Sequence, residues 1–315
     1  MKRVLVMGGS YFIGKHVVDR LKNTFHVTVF NRGTRPFNDE KIIELYGDRN
    51  HLESIQQQLH GRHFDYVIDV SGLTLDHAKI LVDALDCPNI KKFVYISSSA
   101  VYTTNQASIP YKEDDSLGGN SPFQRYADDK IAAEKFLQSI FEPSTLTIFR
   151  PPYVYGEDNY ILREKLIFYL LDNNLPIFYP KENNLLQFIY VKDLAEAIFQ
   201  VLNNHIPASI YNLGDPPIYV KEWLELCARV SKKKPLLVPV EAEKHQLNVV
   251  DFFPFFAMNI VLSTKKIDTF LKSLTPLEVG LKRAYKDYQN YRHAIVLPTR
   301  TTQVFKVLSK HYIDK

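Results

Sequence analysis

Cysteine is nearly missing from this chain: 315 residues carry two, Cys87 and Cys227. Two thiols make no disulfide framework, so reduced, buried cysteines in a cytoplasmic protein are expected. Long apolar runs are missing too. No stretch reaches the roughly 20 residues that span a bilayer, so no membrane association is expected. The first predicted strand begins directly after Met1-Lys2-Arg3, and no removable leader is expected ahead of it. An excess of one charge is also missing. Lys and Arg number 39 against 35 Asp and Glu, a net charge of +4. That balance does not suit a chain built to neutralise many phosphates, so nucleic acid is not the expected partner. The densest basic run, Lys232 to Lys234, reads as a solvated helix end. There is no internal repeat and no low-complexity tract, and no metal site is expected. The composition, 45% hydrophobic and 23% charged, is that of an ordinary soluble enzyme with room for two domains.

The organising stretch is Arg3 to Lys15. Val4-Leu5-Val6-Met7 suits a strand covered on both faces. Gly8 to Gly14 follows as a turn, and Val17, Val18 and Leu21 give the next segment a helical stripe over 13–22. A glycine turn between strand and helix aims backbone N–H groups and a helix dipole at one point, which is a pyrophosphate cradle. Gly8, Ser10, Tyr11, Phe12, Ile13 and Gly14 are therefore cofactor candidates. Gly8 and Gly14 are the outer glycines of GxxGxxG; Tyr11 takes the middle place, so its side chain must turn away or use its ring or hydroxyl.

The pattern then alternates. Strands are predicted at 26–30, 42–45, 64–70, 92–96, 146–150 and 210–213, with helices at 75–86, 123–141, 161–173, 193–203 and 219–231. This order predicts an α/β fold, a Rossmann-type doubly wound parallel sheet with a smaller, mostly helical C-terminal substrate domain. The expected boundaries are 1–155 for the nucleotide domain with 186–214 returning to it, 156–185 and 215–290 for the substrate domain, and 291–315 for a basic, amphipathic tail. Residues 103–122 read as a surface loop over the site. Ligands in such folds sit at the carboxyl ends of strands. After the second strand stand Asn31 and Arg32, with Arg35 nearby, where an acidic residue would repel a 2′-phosphate; NADP is therefore favoured over NAD. Asp48 could meet adenine or cap the helix starting near His51. Ser71 and Gly72 are small enough to let a ribose approach, and Ser97 lies at the fifth strand's end.

The chemistry rests on Tyr126 and Lys130. At i and i+4 they share one helix face, and an ammonium stabilises a phenolate, making Tyr126 a usable acid/base. Tyr11 and Lys15 repeat the spacing, so position decides: Tyr126 follows the serine run at the end of the fifth strand. Ser98 or Ser99 can hydrogen-bond the same substrate oxygen.

With these pieces on the page, the chain resembles an extended short-chain dehydrogenase/reductase of the NAD-dependent epimerase/dehydratase family. The matching segments are Gly8 to Gly14, Tyr95-Ile-Ser-Ser-Ser-Ala-Val-Tyr102, Tyr126 to Lys130, Arg150-Pro-Pro-Tyr-Val-Tyr-Gly156, Phe188 to Ala195 and Tyr211 to Asp215. The resemblance implies hydride transfer on a nucleotide sugar or similar polyol, Ser98 as the active hydroxyl, contacts from Pro151 and Tyr153 to the cofactor, and a homodimer through helices 75–86 and 123–141. The family's 4,6-dehydratases carry an Asp-Glu pair where this chain has Ser99 and Ala100, so dehydration is not expected. The turn with Asn31-Arg32-Gly33 and Gly47-Asp48-Arg49 resembles a branch that holds bacterial reductase-like proteins and relatives of chloroplast stem-loop RNA-binding proteins. Ser99, Tyr155, Asn159, Arg163 and Gln187 are substrate-side candidates. The competing readings are a cofactor-binding regulator without turnover and an RNA-binding protein on the same fold.

Overall fold

A computed structural model describes residues 1–103, 109–118, 123–204 and 206–313. In chain order the chain forms β1 (Arg3–Met7), α1 (Phe12–Leu21), β2 (His26–Asn31), β3 (Ile42–Tyr46), α2 (Leu52–Leu59), β4 (Tyr66–Asp69) and α3 (Leu75–Ala84). There follow β5 (Lys92–Ile96), α4 (Gln124–Ile140), β6 (Leu146–Arg150), β7 (Tyr153–Tyr155), α5 (Glu164–Asp172), β8 (Pro176–Pro180), β9 (Leu185–Leu186), β10 (Phe188–Tyr190) and α6 (Val191–Asn203). The last elements are β11 (Ile210–Asn212), β12 (Ile218–Tyr219), α7 (Val220–Ser231), β13 (Leu236–Val240), α8 (Leu277–Tyr291) and α9 (Thr299–Tyr312).

Two compact units divide the chain. The first takes residues 1–152, 191–214 and 262–274; the second takes 153–190, 215–261 and 275–315. The sequence pattern drew these limits differently. It kept 262–274 in the substrate domain and set the tail apart.

The first unit is a seven-stranded parallel sheet in the order β11-β6-β5-β4-β1-β2-β3. The order reverses at β1, which pairs with β2 on one side and β4 on the other. The crevice at such a reversal is where open α/β sheets hold ligands. Val4 to Met7 are fully buried, as a strand with helices on both faces requires. The α1 stripe Phe12, Val17, Val18, Leu21 is buried, and α1 packs on α6. Arg20 fastens the pair: its guanidinium lies 2.5 Å from Glu196 and over the Phe199 ring. Residues 103–122 are only partly the surface loop expected. Tyr111 is buried, stacks on Tyr102 at 5.3 Å and bridges to Leu262; residues 104–108 and 119–122 lie outside the described residues.

The second unit holds three two-stranded sheets, β10-β7, β12-β9 and β13-β8, among α5, α7, α8 and α9. Strand β13 was not expected from the sequence. Its core is aromatic: Phe188 stacks on Trp223 at 5.4 Å and meets Phe255 edge-on. The tail is built into this unit. Val304 and Leu308 of α9 are buried, and Phe305 meets Phe178 edge-on at 5.2 Å. Lys232 to Lys234 are exposed beyond α7, as expected. Both cysteines are free, Cys227 buried and Cys87 only half-buried.

Candidate active site

The candidate residues of the first unit lie at the carboxyl ends of its strands and on α4. At β1 the chain turns through Gly8 at φ +88°, a conformation side chains resist. A Cβ on Gly8 would run into Ser71, and one on Gly14 into the Gly8 carbonyl oxygen. The turn is packed on itself and leaves no room for a side chain at Gly8 or Gly14. The Ser10 hydroxyl is buried there without a hydrogen-bond partner among the described residues. A buried donor left orphaned beside a helix start fits a pyrophosphate oxygen. Tyr11 turns outward: its hydroxyl lies 3.4 Å from Thr34 Oγ1 and Arg35 sits 4.3 Å over its ring. Tyr11 thereby brings Arg35 to the glycine turn. Phe12 is buried and Ile13 half-buried at the head of α1.

At the β2 end Asn31 is already engaged. Its Oδ1 accepts the Gly33 N–H at 2.6 Å and its Nδ2 reaches Glu44 at 3.4 Å. Arg32 is exposed. Asp48 does not cap α2. Its carboxylate accepts the backbone and side-chain N–H of Asn50 at 2.9 and 2.7 Å, and α2 begins at Leu52 after His51, with no side-chain cap. The Asn50 amide, helped by His51 and Arg32, holds the Asp48 carboxyl below its ordinary range.

Lys130 lies on the buried stripe of α4 with Ala127, Ile131, Glu134 and Leu137. It is 2% exposed, and its ammonium donates to the Gly72 carbonyl at 2.6 Å and the Ile96 carbonyl at 2.7 Å. Burial pushes its pKa down to about 8; Asp69 and Glu134 pull it up and Arg49 pushes it further down. Its Nζ is 5.9 Å from the centre of the Tyr126 ring. The phenol and ammonium expected to pair are separated by this distance, with the ammonium anchored on two carbonyls. Tyr126 is 39% exposed one turn before it.

Ser98 caps the short turn 99–101: its Oγ accepts the Ala100 N–H at 3.1 Å, leaving its O–H to donate. Ser97 Oγ is buried without a partner among the described residues. Ser99 is tied by its own N–H to the Pro151 carbonyl at 2.8 Å.

The substrate-side candidates of the second unit need correction. Asn159 is fully buried and spends its amide on Glu164 at 3.0 and 3.2 Å. Gln187 is buried and donates to the Asp215 carbonyl at 3.0 Å. The Tyr155 ring is buried against Phe188 and Tyr190. These three hold the loops and sheet of their unit and present no surface to a ligand. Arg163 is half-buried, 4.9 Å over the Tyr153 ring.

Two charge pairs of the first unit beside these residues escaped the sequence reading. Glu134, one turn after Lys130, grips Arg150 through 3.1 and 2.6 Å bonds. Arg150 also donates to Tyr102 Oη, which donates in turn to Asn212 Oδ1 at 2.6 Å. The second pair is Arg49 with Asp69. A charge on the buried face of a helix or at the last position of a buried strand is the signal that marks Glu134 and Asp69.

Comparison with known proteins agrees with this geometry. A model of the NAD dependent epimerase/dehydratase family matches residues 4–214. The chain is 29% identical over 284 residues to the chloroplast stem-loop binding protein of 41 kDa b of Arabidopsis thaliana, covering 84% of this chain and 73% of that one. It is 25% identical over 328 residues to a Bos taurus dTDP-D-glucose 4,6-dehydratase, covering 93% and 90%. Among solved structures, a Thermus thermophilus UDP-glucose 4-epimerase complexed with NAD superposes with a TM-score of 0.74 at 21% identity, covering 91% of this chain and 99% of that one. The sheet that reverses at β1, the Gly8–Gly14 turn and the match over 4–214 lead to one conclusion: this chain belongs to the NAD dependent epimerase/dehydratase family.

Proposed function

We propose that the protein is an NAD(P)-dependent oxidoreductase or epimerase acting on a carbinol or carbonyl of a nucleotide-sugar-like substrate. The observation that carries this reading is the buried Lys130 ammonium, anchored on Gly72 and Ile96 one helical turn from the exposed phenol of Tyr126. A nicotinamide cofactor would supply the hydride acceptor. The chain's own groups supply the rest. Tyr126 takes the carbinol proton or returns it. Lys130 favours the phenolate by its charge. Ser98 accepts the Ala100 N–H and would turn its O–H to the same oxygen. Ser10 and the turn 8–14 would hold the pyrophosphate, and Arg32 and Arg35 favour a 2′-phosphate, hence NADP. Ser99 and Ala100 offer no acid/base pair, so dehydration is not part of the proposal.

The 29% relative named for stem-loop binding motivates a second reading, RNA binding on the same fold. The mild charge of +4 weighs against it. A thermal-shift screen against NADP, NAD, nucleotide sugars and a stem-loop RNA finds the ligand class. Once a substrate is in hand, Tyr126→Phe is expected to abolish turnover while cofactor binding stays intact. Unchanged turnover would overturn the assignment.

A further inference from the structure

Arg49 and Asp69 take no part in the reading above, yet they sit against its central cation. Asp69 ends β4 and is 1% exposed. Arg49 grips its carboxylate with two parallel bonds, Nη1 to Oδ1 at 2.8 Å and Nη2 to Oδ2 at 3.0 Å. Nη1 also donates to Ser71 Oγ, and Nη2 to the His77 carbonyl. Asp69 Oδ1 accepts the Ser71 N–H at 3.2 Å as well. One guanidinium and one carboxylate thus fix the backbone turn after β4. Gly72 is the next residue of that turn. A Cβ there would collide with Asp69 Oδ2 and lie 2.9 Å from its Cγ, so the carboxylate rests on the Gly72 backbone. The Gly72 carbonyl is what holds Lys130, and it also accepts the Tyr95 hydroxyl at 3.0 Å.

We propose that Arg49 and Asp69 are a positioning pair for Lys130: the pair sets the Gly72 carbonyl under the ammonium and balances the local field in which it ionises. The inference rests on the reading of Lys130 as the cation of the site. The groups facing Lys130 are Tyr95 on β5, Tyr126 and Glu134 on α4, Asp69 at the end of β4, Arg49 ahead of α2 and His77 on α3. Glu134 is committed to Arg150. Asp69 raises the tendency of Lys130 to hold its proton and Arg49 lowers it. A pair that only stapled a loop would loosen the turn in the same way whichever partner was removed. A pair that also sets the field must give opposite results.

The test uses the full chain between pH 6.5 and 10.5. The native titration of Lys130 is read from urea unfolding as the difference between each background with and without Lys130→Met. In the wild type the midpoint is expected near 8. Arg49→Met is expected to raise it by about one pH unit and Asp69→Asn to lower it by about as much. Displacement in the same direction, or none, overturns the proposal. If either variant fails to fold, Arg49→Lys decides, because it keeps the charge and loses the fork. With the charge kept, its midpoint is expected to stay within about half a pH unit of the wild type, and a shift of about a full unit overturns the proposal. Titration of the wild type with NADPH and NADH keeps the two levels apart. Failure to bind either nucleotide sinks the functional reading and leaves the unfolding result on Arg49 and Asp69 standing.

Discussion

Lys130 spends two N–H donors on backbone carbonyls, so its remaining donor and its charge are what it can offer a ligand. With a native pKa near 8 against 10.5 when exposed, the linkage has a definite sign. Between these values the unfolded chain holds the proton and the native one releases it, so this residue adds stability as pH rises from about 8 to 10.5 and contributes a constant penalty below 8. In the proposed mechanism, charge assistance to the Tyr126 phenolate would run the other way, present below about 8 and lost above. Turnover measured against pH is therefore expected to fall on the alkaline side with a midpoint near 8. At the other end of the site, the proposed preference for NADP rests on Arg32 and Arg35. NADPH is expected to bind more tightly than NADH, and Arg32→Ala to cost about tenfold in NADPH affinity with little change for NADH, read by fluorescence titration. Tighter NADH binding by the wild type would remove the argument from these arginines.

Helix α4 carries the cation of the proposed mechanism and a structural charge on one stripe: Lys130 and Glu134 are four residues apart and both buried. Glu134 outweighs the burial of Arg150 and keeps its guanidinium firmly charged. Removing one partner strands the other, so Glu134→Leu is expected to lower unfolding free energy by about 3–5 kcal/mol. The double change with Arg150→Met should lose less than the two singles summed, measured by urea unfolding. A short-range pattern made much of this level readable. β1 announced itself by four adjacent apolar residues and α1 by its stripe. Lys130 was legible because its partner tyrosine lies within one helical turn. Arg49 and Asp69 were not, because 20 positions separate them and only the segment after β3, carried to the end of β4, makes them a pair. β13 was missed for a local reason. Pro239 sits inside Leu236–Val240 in a proline-bearing region, and the strand survives because it pairs with β8 alone. Asn159 and Gln187 misled because a polar side chain in an irregular segment looks free until its burial is seen.

The whole chain passes between its two units five times, after residues 152, 190, 214, 261 and 274. The segment matched by the family model ends at 214, yet the first unit does not. Residues 262–274 return to the sheet edge at β11. Ser263 N–H donates to the Tyr111 carbonyl at 2.7 Å, Lys266 Nζ to the Ile210 carbonyl at 2.8 Å, and Phe270 packs edge-on against Tyr211. A fragment of residues 1–214 is thus expected to melt at a lower temperature and less cooperatively than the full chain by circular dichroism. An equally sharp transition at the same temperature would show that the return segment adds nothing. The same arrangement sets a timetable for synthesis. Strand β11 leaves the ribosome with the whole of 215–261 still to be made before its covering segment exists, an interval of several seconds at roughly 5–20 residues per second. For that interval the newest edge of the sheet is open to other nascent chains, and it is there that a chaperone has most to protect.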